Sequence, residues 1–145
     1  MNGGRSFVDT NVLVYAHDRD AGQKHEIAQE ILLELWGKRS GVLSIQVMQE
    51  FYVTATRKIL HPLPASTVIN ILRDYCSWHI EVNNSFSIFK ASAIEEKYKI
   101  SFWDALIVAA ASSAGVEKIL TEDLHSEQVI EGLMIENPFS RLDGA

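Results

Sequence analysis

The sequence predicts one α/β domain, a mainly parallel central sheet with helices on both faces, and three observations lead there. The chain has 145 residues, the size of one typical domain. Short apolar runs alternate along it with segments of helical period, which is the pattern of βαβ units. One segment, 102–114, is apolar or small at almost every position, so it reads as a helix buried near the centre. Composition agrees: 47 % hydrophobic, 22 % charged and 9 % aromatic residues exclude a disordered or fibrous chain.

The elements follow in order. Ser6-Phe7-Val8 is a short buried strand that gives way to a polar loop at Asp9-Thr10-Asn11. Asp20, with Gln23 three residues on, can cap a helix over about 21–36, whose apolar residues Ile27, Ala28, Ile31, Leu32 and Leu35 share a face until Gly37 ends it. Gly41-Val42-Leu43 is the second strand. Ser44 then caps a helix carrying Val47, Met48, Phe51, Tyr52 and Ala55 on one face, which stops before His61-Pro62. Pro64 suits the first turn of the next helix, with Val68, Ile71, Leu72 and Tyr75 as its stripe. His79–Val82 reads as a strand, and Phe86, Phe89, Ala93, Ile94 and Tyr98 as the apolar face of a helix after Asn83-Asn84. Beyond the buried helix and Gly115, Lys118–Thr121 and Leu133–Glu136 complete the strands. No repeat or linker divides the chain.

Several function classes drop out early. The single Cys76 cannot form an internal disulfide, reads as a small core residue and fits a reducing cytoplasm. The start lacks a secretory signal, and no segment is apolar over the roughly 20 residues that span a bilayer, so no membrane association is expected. Acidic side chains outnumber basic ones by 19 to 13, giving a net charge of −6, and the basic residues form no run. Strong non-specific nucleic-acid binding is therefore not expected. The five histidines lack the spacing of a zinc helix and read as surface or cap residues. No nucleophile elbow or phosphate-cradling glycine loop is present. Trp103 could stack on a base, but in so apolar a segment it reads as core.

What remains is a set of acids. Open parallel sheets bind ligands beyond the carboxyl ends of their strands. Asp9 and Asn11 follow the first strand and Asp123 follows Lys118–Thr121, so both loops open at one edge. Asp104 sits in the first turn of the buried helix, and Glu50 flanks the apolar stripe of its own helix. Each has a structural alternative: Asp104 a capping box with Ser101, Glu50 a solvated helix position, Asp9 an Asx turn, Asp123 a cap. Together they are better explained by one divalent cation. Like charges about 4 Å apart repel by about 4 kcal/mol per pair at an effective dielectric of 20 unless a cation or a proton intervenes. An all-oxygen cluster suits Mg²⁺ or Mn²⁺, ions that activate water and stabilise a phosphodiester under attack.

Four segments, Phe7–Ala16, Ser44–Phe51, Phe102–Ile107 and Leu120–Leu124, resemble in order and spacing the PIN-domain ribonucleases, and among these the VapC-type toxins of prokaryotic toxin–antitoxin pairs. The likeness spans Phe7 to about Phe139. It implies a single PIN-like nuclease domain over 1–145 with its core at about 6–139, and a Mg²⁺ or Mn²⁺ site built by Asp9, Glu50, Asp104 and Asp123. Asn11 and Thr121 would be supporting polar groups. It further implies an RNA substrate, an antitoxin protein that covers the site, and a homodimer. Some members carry another acid soon after the Asp123 position, where this chain has His125 two residues on and Glu127 four. Two other readings stay open on the residues alone. One is phosphotransfer through Asp9 as an aspartyl nucleophile, although Asn11 stands where a second Asp is wanted and Lys118 opens its strand instead of closing it. The other is a non-catalytic module binding RNA or protein, which intact acids at all four positions speak against.

Overall fold

The computed structural model describes residues 4–124 and 128–143. Six strands form one sheet: β1 (Ser6–Val8), β2 (Gly41–Ser44), β3 (His79–Glu81), β4 (Lys118–Leu120), β5 (Val129–Ile130) and β6 (Leu133–Glu136). Their order is β3-β2-β1-β4-β6-β5, parallel throughout except for β5 against β6. The centre is apolar because Phe7 lies between Val42 and Ile119 in register, and none of the three is accessible.

Seven α-helices accompany the sheet among the described residues: α1 (Thr10–His17), α2 (Gln23–Lys38), α3 (Ile45–Arg57), α4 (Ala65–Tyr75), α5 (Ser85–Tyr98), α6 (Phe102–Ala114) and the short α7 (Ser140–Asp143). From β1 the chain steps outward through β2 to β3, then returns to β4 on the other side of β1. Right-handed crossovers in opposite directions place α1–α4 on one face and α5–α6 on the other. The packing follows that division, with α1 against α2 and α3, α3 against α4, and α5 against α6. The reversal between β1 and β4 is the switch point at which such sheets hold ligands. As expected, α6 is buried almost all round, from Ala105 to Ala111, and ends at Gly115 with φ 69°.

Several expectations need correction. The polar stretch after β1 is no loop: Asp9 caps α1, whose Val12, Leu13, Val14 and Ala16 are buried. The following helix begins at Gln23 after Gly22, which has φ 64°, while Asp20 belongs to a short 3₁₀ turn, Arg19–Ala21. Gly37 stays helical, and the stop comes at Arg39 in the left-handed region, whose N–H reaches back to Leu35 and Trp36. Strand β5 was not foreseen, being only two residues long. On α5 the aromatic residues face outward, with Phe86 75 % and Phe89 66 % exposed, while Ala91 and Ile94 are buried. Cys76 is exposed instead of buried, and His17, expected at the surface, is half-buried against Phe51 and Tyr75. No helix among the described residues is long and apolar enough to cross a membrane.

Candidate active site

The site starts where β1 ends. Asp9 has extended backbone (φ −76°, ψ 163°), so it leaves the strand and caps α1 at once, its Oδ1 accepting from the Thr10 N–H at 2.7 Å. Its other oxygen, Oδ2, accepts from the Thr121 hydroxyl at 2.7 Å, in the segment leaving the neighbouring strand β4. The residue is buried, only 5 % exposed. Burial pushes it up from 3.8 to about 7; the Thr121 and Thr10 hydrogen bonds oppose this, and Asp123 and Glu50 add their repulsion.

Glu50 enters from the second turn of α3. Ser44 starts that helix by accepting from the Val47 N–H at 3.3 Å. Thr10 donates from its hydroxyl to Glu50 Oε1 at 2.6 Å, and Gln46 from its amide to Glu50 Oε2 at 3.2 Å. Asp104 sits in the first turn of α6, where Ser101 Oγ accepts from its N–H at 3.1 Å. Only this half of the anticipated capping box forms, so capping alone does not account for the carboxyl. Asp123 follows β4; its N–H donates to Thr121 Oγ1 at 3.1 Å. Burial raises the Asp123 pKa, the charges of Asp104, Glu122 and Glu50 raise it further, and a hydrogen bond from the Asn11 side chain opposes them.

These couplings bring the four acids into one electrostatic neighbourhood: Asp9 feels Asp123 and Glu50, and Asp123 feels Asp104 and Glu50. Thr121 is fully buried and bridges Asp9 to the Asp123 backbone. Asn11 Oδ1 accepts from the Glu122 N–H at 3.3 Å, and the Asn11 amide is turned toward the Asp123 carboxylate, which it stabilises. His125 and Glu127 lie outside the described residues.

Five residues of this network were not anticipated. Thr10 and Gln46 orient Glu50; Glu122 ties Tyr15 and Lys24 to the loop that carries Asp123, through the Tyr15 hydroxyl at 2.7 Å and an ion pair with Lys24. The spacing of Gln46 and Glu50 by four helical residues was the one signal available in the sequence. Trp103 is a correction, being 62 % exposed beside Asp104 instead of packed in the core. A groove of about 890 Å³ adjoins the acids, lined by Thr10, Asn11, Glu50 and Asp123 together with Val53 of α3 and Lys58 and Leu60 just beyond the end of that helix.

Among the described residues no group of three or more His, Cys, Asp or Glu side chains is already arranged as a metal site. The chemistry of the donors nevertheless fits a hard divalent cation. The side chains are oxygen donors of one sign whose charges help raise the pKa of Asp9 and Asp123, and each oxygen already bound to a protein donor keeps a second lone pair.

A PIN-domain family model matches residues 6–130. Comparison with curated proteins finds no match. Among solved structures the chain is similar to VapC20 of Mycobacterium tuberculosis, described as a toxin cleaving the Sarcin-Ricin loop, at 21 % identity and a TM-score of 0.63 over 81 % of this chain and 89 % of that one. It is similar to a toxin-antitoxin complex from Klebsiella pneumoniae at 20 % identity and a TM-score of 0.66, covering 92 % of this chain and 97 % of the other. VapBC2 from Rickettsia felis, bound to a DNA fragment from its promoter, gives 19 % identity and a TM-score of 0.61, covering 91 % and 97 %.

Proposed function

The chain belongs to the PIN-domain family, and from that premise we propose that it is a metal-dependent endoribonuclease acting in the cytoplasm as the toxin of a toxin–antitoxin pair. The observation that carries this reading is the hydrogen-bond network at the switch point of the sheet: Thr121 joins Asp9 to the Asp123 backbone, Thr10 joins the Asp9 turn to Glu50, and Gln46 joins Glu50 to the backbone beside Asp104. Four acids delivered by four separate segments repel one another, and the hydrogen bonds and the Asp9 proton relieve that only in part, whereas a bound cation compensates all four. Asp9 and Asp104 would hold Mg²⁺ or Mn²⁺ directly, with Glu50 and Asp123 completing the site or acting through water. Such an ion supplies Lewis acidity at phosphorus and lowers the pKa of water.

The protein's own groups prepare that chemistry. Thr121 fixes Asp9 through one oxygen while the Thr10 N–H holds the other. Near neutrality the buried Asp9 carboxyl still shares a proton, because its pKa stands at about 7. Cation uptake therefore releases a proton from Asp9. Asn11 steadies the loop that carries Asp123, its Oδ1 accepting from the Glu122 N–H and its side chain favouring the ionised Asp123 carboxylate. The groove adjoining the acids gives single-stranded RNA a path to them. Two of the similar structures are complexes of toxins with other molecules, which supports an antitoxin protein as partner here; a homodimer belongs to the same proposal.

Purified protein should cleave RNA with Mg²⁺ or Mn²⁺, leave 5′-phosphate and 3′-hydroxyl ends, and lose activity in EDTA or as Asp9→Asn. Undiminished cleavage in EDTA with 2′,3′-cyclic phosphate products would overturn the mechanism. Co-expression with the adjacent open reading frame should yield a stable complex and relieve growth inhibition. Inhibition that persists in Asp9→Asn would separate toxicity from cleavage.

A further inference from the structure

The geometry points to Gln46 as a positioning residue that sets the separation of Glu50 and Asp104, and through it the affinity of the site for its cation. This rests on the nuclease reading and extends it to a residue outside the acid set.

Gln46 is the second residue of α3 and is only 6 % exposed, unusual burial for a glutamine at a helix start. A buried primary amide is costly unless its donors are used. Both are used, on two different elements: Nε2 donates to Glu50 Oε2 at 3.2 Å and to the main-chain carbonyl of Trp103 at 3.3 Å. Trp103 immediately precedes Asp104. One amide group thus connects the Glu50 carboxylate, four residues along the same helix, to the backbone beside the Asp104 carboxyl. Packing alone gives this relation little support, since α3 lies chiefly on α1 and α4 while α6 lies chiefly on α5.

The amide orientation is set by its neighbours. Both contacts are acceptors, so only the NH₂ end can face them, and Oε1 is left buried with no hydrogen-bond partner. A residue kept only to fill space would not require that unpaired acceptor, because methionine fills nearly the same volume without it. With Thr10 on Oε1 and Gln46 on Oε2, the Glu50 carboxylate is held in one plane. Groups that orient metal-binding side chains typically contribute about 10–100-fold in metal affinity or activity.

The test compares wild type, Gln46→Met and Gln46→Glu by thermal melting in EDTA, by Mn²⁺ titration of the metal-free protein followed by electron paramagnetic resonance, and by RNA cleavage. Gln46→Met should fold and melt close to wild type, bind Mn²⁺ about 10–100-fold more weakly, and lose kcat with KM for RNA little changed. Gln46→Glu keeps the length, cannot donate and adds a charge that itself attracts Mn²⁺, so the readout is kcat, which should fall as in Gln46→Met; a wild-type kcat in Gln46→Glu would show that the orienting bonds do not matter and overturn the inference. Mn²⁺ affinity and kcat in Gln46→Met equal to wild type, with or without a lower melting temperature, would reduce Gln46 to a packing residue and overturn the inference while leaving the nuclease reading intact. Wild-type protein that takes up no Mn²⁺ would overturn both.

Discussion

Thr121 illustrates how much of the site depends on single hydroxyl groups. It is completely buried, donates to Asp9 Oδ2 at 2.7 Å and accepts from the Asp123 N–H at 3.1 Å. Thr121→Val keeps the shape but removes both bonds, leaving a buried carboxyl and an amide short of partners. The expected cost is about 1–3 kcal/mol of stability together with a marked fall in cleavage. Thr121→Ser should recover most of both, and denaturant unfolding with a kinetic assay would show it; no recovery would mean that the methyl, not the hydroxyl, matters. Asp9, Asn11 and Asp123 stood out in the sequence as polar residues that follow strands at a ligand edge, Asp104 and Glu50 as helix residues within reach of that edge, and Thr121 through the family resemblance alone. Thr10 gave no such signal and Gln46 only its four-residue spacing from Glu50, because a threonine or glutamine is common on any surface and acquires its role from the partner that folding brings within about 3 Å. The outward turn of Trp103 was hidden for a similar reason: α6 is apolar on nearly every side, so its pattern does not mark the one face that reaches solvent at its first turn.

At the scale of elements, helix starts matter beyond local stability because two of them carry acids of the site. Asn84 caps α5 by accepting from the Phe86 and Ser87 N–H groups at 2.9 and 3.2 Å, and Ser87 Oγ returns a bond to the Asn84 N–H at 2.9 Å. Ser101 caps α6 through the Asp104 N–H. Asn84→Ala and Ser101→Ala should each cost about 1 kcal/mol, or about 4 °C in melting temperature. Only Ser101→Ala should also slow cleavage, since its turn holds Asp104; equal rates for the two would show that the α6 cap does not hold the acid in place. Strands β1, β2 and β4 and helices α3, α4 and α6 were legible because their apolar runs, caps and breakers agree with one another. Helix α1 was not: Asp9-Thr10-Asn11 has the composition of a turn, and the same preference of Asp for turns makes it a good N-cap. On α5 the pattern misled. The face against α6 uses Ala91 and Ile94, where a small residue permits close approach, so the larger Phe86 and Phe89 were assigned inward although they point out.

For the whole molecule, burial of two ionisable groups makes opposite demands on pH. Burial raises Asp9 from 3.8 to about 7, while for His17 burial first, and His25 next, lower it from 6.5 to about 4. Between pH 3.8 and 7 the folded chain keeps the Asp9 proton that the unfolded chain releases, so this contribution to stability is fully present below 3.8 and is lost as pH rises through 7. His17 has the reverse sign: between 6.5 and 4 the unfolded chain binds a proton that the folded chain refuses, so stability present above 6.5 is lost as pH falls through 4. Where the windows overlap, each group contributes a slope of about 1.4 kcal/mol per pH unit, and the two cancel. Relative to wild type, Asp9→Asn in EDTA should therefore gain stability as pH rises across the overlap, whereas His17→Gln, which can still meet the Tyr75 hydroxyl that His17 Nε2 contacts at 2.9 Å, should lose it. Urea unfolding at three pH values between 4.5 and 6.5 measures both differences, and parallel curves for all three proteins would mean that neither group is buried in the folded state. Saturating Mg²⁺ adds a further arm. A cation held by Asp9 competes with its proton, so wild-type stability in Mg²⁺ should rise with pH as it does in Asp9→Asn. Asp9→Asn should respond to the ion much less, which ties the pH profile of the fold to the site at the switch point of the sheet.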